Sequence, residues 1–342
     1  MRRTGAFAAI GFAAALVWTS GCRPDLPEPP DPDEPVPPVS CEDPRAPLSL
    51  TRTEADSDLV QPPWIQVCTL CPASSVGLDA DIPLEVAWEG GFECAVAVAS
   101  EPLPDDLLEI DAHIVDGDRS GDVELELPLP GGRGSNPSDL GTRTWRLDLD
   151  STNLRIPAAD LTAVGLGGDP TRGLLVHLGP PDDDGDLPVT LGLTVEDGND
   201  QDLCEPTRSW VEPARLDRRQ LAVPLTVDDA LPPPFGGPVR RGAFQARMSS
   251  TGSALQSGVL LALLDLNQLE AELGQPPDVV CEVLADDSEG PVCVPCGDPA
   301  DGIDGLPTCV PMLWEFALAT ASAAELLPVD PDALPPECAQ GS

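Results

Sequence analysis

Short apolar–polar alternations, each cut off within a few residues by Gly, Pro or Asp, are the feature that most restricts what this chain can fold into. Leu84, Val86 and Trp88 alternate with Glu85, Ala87 and Glu89. Leu108, Ile110, Ala112 and Ile114 alternate with Glu109, Asp111, His113 and Val115, and Val123, Leu125 and Leu127 alternate with Glu124 and Glu126. Trp145, Leu147 and Leu149 continue the series, followed by Leu174, Val176 and Leu178 and then by Val189, Leu191, Leu193 and Val195. Period two sends alternate side chains to opposite faces of a strand, so each run predicts a half-buried β-strand. Pro supplies 42 and Gly 31 of the 342 residues, spread along the whole length, which argues against long helices. Together these signals predict a mainly β fold, an antiparallel β-sandwich over residues 61–227.

The stretch VDDALPPPFGGP, residues 227–238, reads as the internal boundary, with 228–238 as a linker and a smaller disulfide-rich β unit over 239–338. Within that unit the segment around Thr251-Gly252 reads as a hairpin. NQLEAELG, residues 267–274, reads as a short helix capped by Asn267 and stopped by Gly274. PPDVVCEVLADD, residues 276–287, reads as a second helix with proline in its first turn. CVPMLWEFALATA, residues 309–321, reads as a closing strand.

Charge excludes some partners. Fifty-nine acidic residues face 18 basic ones, a formal net charge of −41, and every basic residue is Arg. A field of this sign repels phosphate backbones and anionic headgroups, so neither nucleic acid nor an electrostatically held membrane surface is an expected partner.

At the N-terminus Arg2 and Arg3 precede an apolar run from Gly5 to Trp18 that is too short to span a bilayer comfortably and fits a secretory h-region. The run ends in Thr19-Ser20-Gly21-Cys22, which resembles the lipobox of bacterial lipoproteins. The resemblance implies a signal peptide over 1–21, diacylation of Cys22 as the mature N-terminus, and contact with a membrane through that lipid. Thr19 stands where the pattern usually has Leu, and Arg23 after the cysteine implies, by analogy with diderm lipoproteins, the outer membrane. The alternative is ordinary signal-peptide cleavage with Cys22 in a disulfide. Residues 22–60 read as a tether, because 23–40 hold eight prolines and five acidic residues and cannot pack a core. As polyproline II, 23–40 would reach roughly 55 Å.

Setting Cys22 aside leaves an even set of disulfide candidates: Cys41, Cys68, Cys71, Cys94, Cys204, Cys281, Cys293, Cys296, Cys309 and Cys338. Spacing leaves the connectivity open. Two of the spacings are CxxC, Cys68 to Cys71 and Cys293 to Cys296, but neither has the strand–helix context of a redox site, so structural disulfides are expected.

Asp116, Asp118, Ser120 and Asp122 carry the odd spacing of a calcium loop, yet Leu127 occupies the place of the closing Glu and a strand follows. The runs Asp182–Asp186 and Glu196–Asp202 are similar, and hairpin turns explain all three as well. No cofactor is expected beyond that possible calcium. Two histidines, no lysine and no tyrosine leave few general bases, and neither a nucleophile elbow nor a phosphate loop occurs. The expected function is a non-enzymatic, membrane-anchored scaffold or binding protein whose protein or envelope partner the sequence does not name. The alternatives are a calcium-dependent adhesion module and a carboxylate-based hydrolase.

Overall fold

The computed structural model describes residues 48–51, 64–69, 75–88, 94–103, 107–116, 118–128, 135–137, 143–149, 154–156, 161–164, 166, 171–232, 235–286, 292–296, 308–316, 319–322, 326–336 and 338. The expected signal peptide, Cys22, Cys41 and Cys71 lie outside these residues, as does the expected tether but for 48–51. The chain divides into two units, 1–39 and 40–342, and every described residue belongs to the second.

The fold is mainly β with several antiparallel sheets. Its first seven strands are β1 (Leu48–Thr51), β2 (Trp64–Thr69), β3 (Ser75–Ala80), β4 (Leu84–Trp88), β5 (Cys94–Ala99), β6 (Leu107–Asp116) and β7 (Arg119–Pro128). They form one sheet in the order β1-β2-β5-β4 and a second in the order β3-β6-β7. That is the strand order of a constant-type immunoglobulin sandwich. Alternation builds its core: Ile65, Val67, Ala95 and Ala97 of the first sheet meet Leu78, Leu108, Ile110, Ala112 and Ile114 of the second. Two expectations are corrected here. The tether does not run to residue 60, because the alternating Leu48-Ser49-Leu50-Thr51 pairs with β2 as β1. The sandwich ends near residue 128 rather than 227, because the later alternating runs belong to one sheet with strands beyond residue 238.

Those runs are β8 (Arg143–Leu147), β9 (Leu154–Ile156), β10 (Leu174–Leu178), β11 (Val189–Leu193), β12 (Arg208–Ser209), β13 (Arg215–Asp217) and β14 (Gln220–Leu225). They join β15 (Val239–Met248), β16 (Ala254–Asp265), β17 (Val294–Pro295), β18 (Thr308–Phe316) and β19 (Ala319–Ser322) in one sheet of 12 strands. The sheet runs β12-β11-β10-β8-β19-β16-β15-β14-β13, with β17 and β9 on the free edge of β18. β18 and β19 both pair with β16, over Asp265↔Cys309 to Gly258↔Phe316 and over Leu255↔Ala319 to Ala254↔Thr320, in the same register. Its two ends meet: Leu187 and Ala214 exchange backbone hydrogen bonds of 2.9 and 2.7 Å, just before β11 and β13. The sheet thus closes into a barrel whose interior is filled by side chains such as Trp145, Val176, Leu191, Val223, Phe244 and Trp314.

The expected linker 228–238 therefore joins hydrogen-bonded neighbours, β14 and β15, within one sheet and does not separate two domains. Asp229 explains why a Pro-rich stretch holds this tight connection. Its buried carboxylate accepts from the backbone N–H of Val211 (2.7 Å) and of Thr226 (2.6 Å), and from the Thr226 hydroxyl (3.1 Å). Its backbone carbonyl accepts from Val239 N–H at 2.9 Å.

The predicted hairpin turns at Gly252, which adopts φ +69°. Both predicted helices form, α1 (Leu266–Leu273) and α2 (Pro277–Asp286), and they pack on the barrel core through Leu266, Leu269, Val280 and Leu284. The cap of α1 is Asp265 rather than Asn267, since Asp265 accepts from Asn267 N–H (3.0 Å) and Gln268 N–H (3.4 Å). Asn267 instead accepts from Thr308 N–H at 2.9 Å, tying the helix start to β18. Gly274 ends α1 in the left-handed conformation at φ 67°, as the sequence predicts.

Disulfides link Cys281 to Cys293, Cys296 to Cys309 and Cys204 to Cys338. The second CxxC is thus split between two partners and is structural. Cys68 and Cys94 are cross-strand neighbours in the β2–β5 register. The bond from Cys204 to Cys338 spans 134 residues, against 12 and 13 for the others. Chain-entropy reasoning assigns up to about 5 kcal/mol to the long loop and about 3 kcal/mol to each short one. Urea unfolding of paired Cys→Ser variants should therefore show the largest loss for Cys204 with Cys338, and equal losses would contradict the loop argument.

Candidate functional site

The predicted calcium residues lie on the β6–β7 hairpin. Asp116 ends β6 opposite Arg119, Ser120 pairs with Val115, and Asp122 pairs with His113. Asp118, Ser120 and Asp122 are exposed, and the Asp122 carboxylate is hydrogen-bonded to His113 Nδ1 across the strands. Among the described residues no three His, Cys, Asp or Glu side chains gather as a metal site.

In the other two acidic runs the carboxylates serve the fold. Asp182 Oδ1 accepts from the N–H of Asp184 (2.9 Å) and of Asp186 (3.0 Å), holding a turn that Gly185 completes at φ +88°. The 196–202 run is held by arginines. Arg172 lies 3.4 Å from Asp202, 3.5 Å from Glu205 and 3.9 Å from Glu196. Arg146 donates to Gly198 O and Asn199 Oδ1, each at 2.6 Å. Gly173 makes room for this, because a Cβ there would fall on the Arg146 side chain. The C-terminal segment lies along the same loop. Gln201 donates to Leu327 O (2.7 Å) and accepts from Leu327 N–H (2.8 Å), while Thr207 Oγ1 accepts from Val329 N–H (3.0 Å). Sequence spacing left calcium open here beside the plainer reading of a turn, because the arginines that hold the run lie outside it in the chain.

Two features escape the sequence. One is the seam between sandwich and barrel. Trp64, Val96 and Val98 leave the sandwich on the side away from its core and pack on Ala243, Val259, Leu261, Leu263 and Leu313 of the barrel's outer surface. Polar groups frame this apolar seam. Trp64 Nε1 donates to Glu315 Oε1, Gln245 Nε2 donates to Glu101 O (2.9 Å), Leu103 N–H donates to Gln220 Oε1 (2.8 Å), and Arg215 pairs with Glu101. Glu85 and Arg241 also face each other there, 3.9 Å apart, yet Glu85 Oε2 and Arg241 Nε are buried with no hydrogen-bond partner. Burial pushes the Glu85 carboxyl up to about 7 despite the opposing pull of Arg241.

The other feature is the outer face of the β3-β6-β7 sheet. Register sets Asp79 beside Asp111 and Asp111 beside Glu124, making one row of three carboxylates, with Glu109 opposite Glu126 in the next. All five are exposed. The sequence showed acidic alternate positions but not that the acids of three strands fall side by side.

The three disulfides among the described residues point to an oxidising, extracytoplasmic compartment. No helix among the described residues is long and apolar enough to cross a membrane. Arg172→Gln should lower unfolding free energy by about 1–3 kcal/mol in urea, because it strands the largely buried Asp202 carboxylate. An unchanged midpoint would show that the cluster carries no stability.

Compared with known proteins, the chain matches no family model, no curated protein and no solved structure.

Proposed function

We propose that this chain is a lipid-anchored, extracytoplasmic lipoprotein of the outer membrane that works as a non-enzymatic binding scaffold, presenting its sandwich to a cationic partner. The observation that carries the reading is the outer face of the β3-β6-β7 sheet. Like charges directly opposite one another on a sheet are destabilising. Here Asp79, Asp111 and Glu124 share one row, and Glu109 and Glu126 the next. Residues 48–128 hold only two basic residues, Arg52 and Arg119, to offset them. Folding gains nothing from this arrangement, whereas a basic surface docking on it would relieve the repulsion and be steered by the field.

The anchor rests on the lipobox-like Ser20-Gly21-Cys22 and on the acidic, Pro-rich segment behind it. A diacylated cysteine supplies the two chains that stable attachment needs. The tether would then hold the face away from the bilayer, where a soluble or surface partner reaches it.

Neutralising the row with Asp79→Asn, Asp111→Asn and Glu124→Gln should raise stability by a few tenths of a kcal/mol to about 1 kcal/mol per relieved pair. In cross-linking from the native envelope, the same variant should lose the partner that the wild-type chain captures at low salt. Equal capture by both would remove the face from the reading. Mass spectrometry should find diacylated Cys22, and Cys22→Ser should release the chain from the membrane fraction; an unmodified Cys22 in a disulfide would overturn the anchor.

A further inference from the structure

Glu85 stands at an unusual place for a carboxylate. β4 is the edge strand of its sheet, and Glu85 pairs with Val98, which pairs in turn with Trp64. That row of Trp64, Val98 and Glu85 lies on the side that meets the barrel, whereas the neighbouring Leu84 and Val86 turn into the sandwich core. An acid therefore ends the apolar row on which the sandwich rests.

The surroundings offer it little. β4 carries no other ionisable side chain, β16 carries none before Asp265, and β3, which also packs on β4, carries only Asp79, exposed on the outer face of its own sheet. Facing strands β2 and β5 contribute Trp64 and Val98 in its row. β15 brings Arg241, with Arg240 exposed and Arg247 at the far end of that strand. Arg241 is thus the charged group facing Glu85, and at 3.9 Å without hydrogen-bond geometry it compensates an ionised carboxylate poorly.

We propose that Glu85 makes the docking of the sandwich on the barrel proton-linked, with the seam tight when Glu85 is protonated and loosened when it ionises. The direction follows from burial. An undocked Glu85 would titrate at its ordinary value of 4.5, while the docked one titrates at about 7. Between these values the docked state holds a proton that the open state has released, so raising the pH across that window weakens docking. Below it both states are protonated and docking has its full strength. Above it both are ionised and nothing further is lost. One such group changes the docking equilibrium by at most tenfold per pH unit. An envelope protein of this design would stiffen in mildly acidic surroundings and let its sandwich open near neutrality.

The test is hydrogen–deuterium exchange of the full-length chain from pH 4.5 to 8, corrected for intrinsic exchange rates, read at β4 and β15. In the wild type, protection at these strands should fall by up to about a hundredfold in total, by no more than tenfold per unit, and level off above about 7. Glu85→Gln keeps the shape of the protonated acid, so its protection should be independent of pH in this window and higher than wild type at pH 8. Arg241→Gln removes the cation favouring ionisation in the docked state, so the pH at which protection levels off should move higher while the onset of the fall stays in place. A wild-type slope that survives in Glu85→Gln, or a Glu85→Gln chain less protected than wild type at pH 8, would overturn the proposal. An Arg241→Gln chain that levels off at the wild-type pH would do the same should the first variant fail to fold.

Discussion

The burial of β16 on both faces is the constraint on which the rest depends. From Gly258 to Leu264 every residue of this strand is buried. Leu260, Ala262 and Leu264 point into the barrel, while Val259, Leu261 and Leu263 point outward beneath the sandwich. A strand wet on one face would alternate apolar with polar residues; this one reads VLLALL because water reaches neither side. Removing the sandwich would therefore expose a broad apolar strip, and removing the barrel would strand Trp64, Val96 and Val98. Each unit completes the other's core, so the two behave as one compact body.

Close backbone approach makes that strand possible. A Cβ at Gly242 would fall on the Leu261 carbonyl oxygen, and the Phe316 ring lies where a Cβ of Gly258 would be. Glycine is needed at both places because the crowding atoms are backbone or a buried ring, which cannot move aside. With the sheet drawn this close, Trp210, Phe244 and Phe316 line up across the barrel at centroid spacings of 5.8 and 5.9 Å.

Local patterns were legible in the sequence and long-range pairing was not. Period two located most strands, and Thr251-Gly252, Gly274 and Pro277 marked the hairpin and the helix ends, because those signals act within a few residues. The boundary at 228–238 misled because proline and glycine mark any turn. Only the pairing of β14 with β15 and the carboxylate of Asp229 reveal that this one lies inside a sheet. The capping role of Asn267 was misplaced by two residues for the same reason: two good cap formers stood close together, and packing chose between them. The acidic run at 196–202 resembled a calcium loop until Arg172 and Arg146 came to it across the fold. Likewise, nothing local distinguishes Glu85 from Glu109 or Glu124, since all three occupy polar phases of alternating strands. What separates them is whether a second layer covers that phase.

That difference also explains how a chain of net charge −41 holds together. The arginines are few, and among the described residues Arg172, Arg215 and Arg241, which pair with carboxylates across the fold, lie in the barrel half. Repulsion that the sandwich cannot cancel internally is directed outward through the β3-β6-β7 face, away from the apolar seam. The seam itself then sits between an uncompensated acidic surface on one side and an arginine-braced barrel on the other. An acid placed in the seam is largely withdrawn from bulk water, with Arg241 as the cation beside it. Its ionisation is governed there by burial, while the exposed acids of the outer face interact through solvent and salt. One residue type thus performs two physical tasks in adjoining layers, and layer packing, rather than local sequence, decides which.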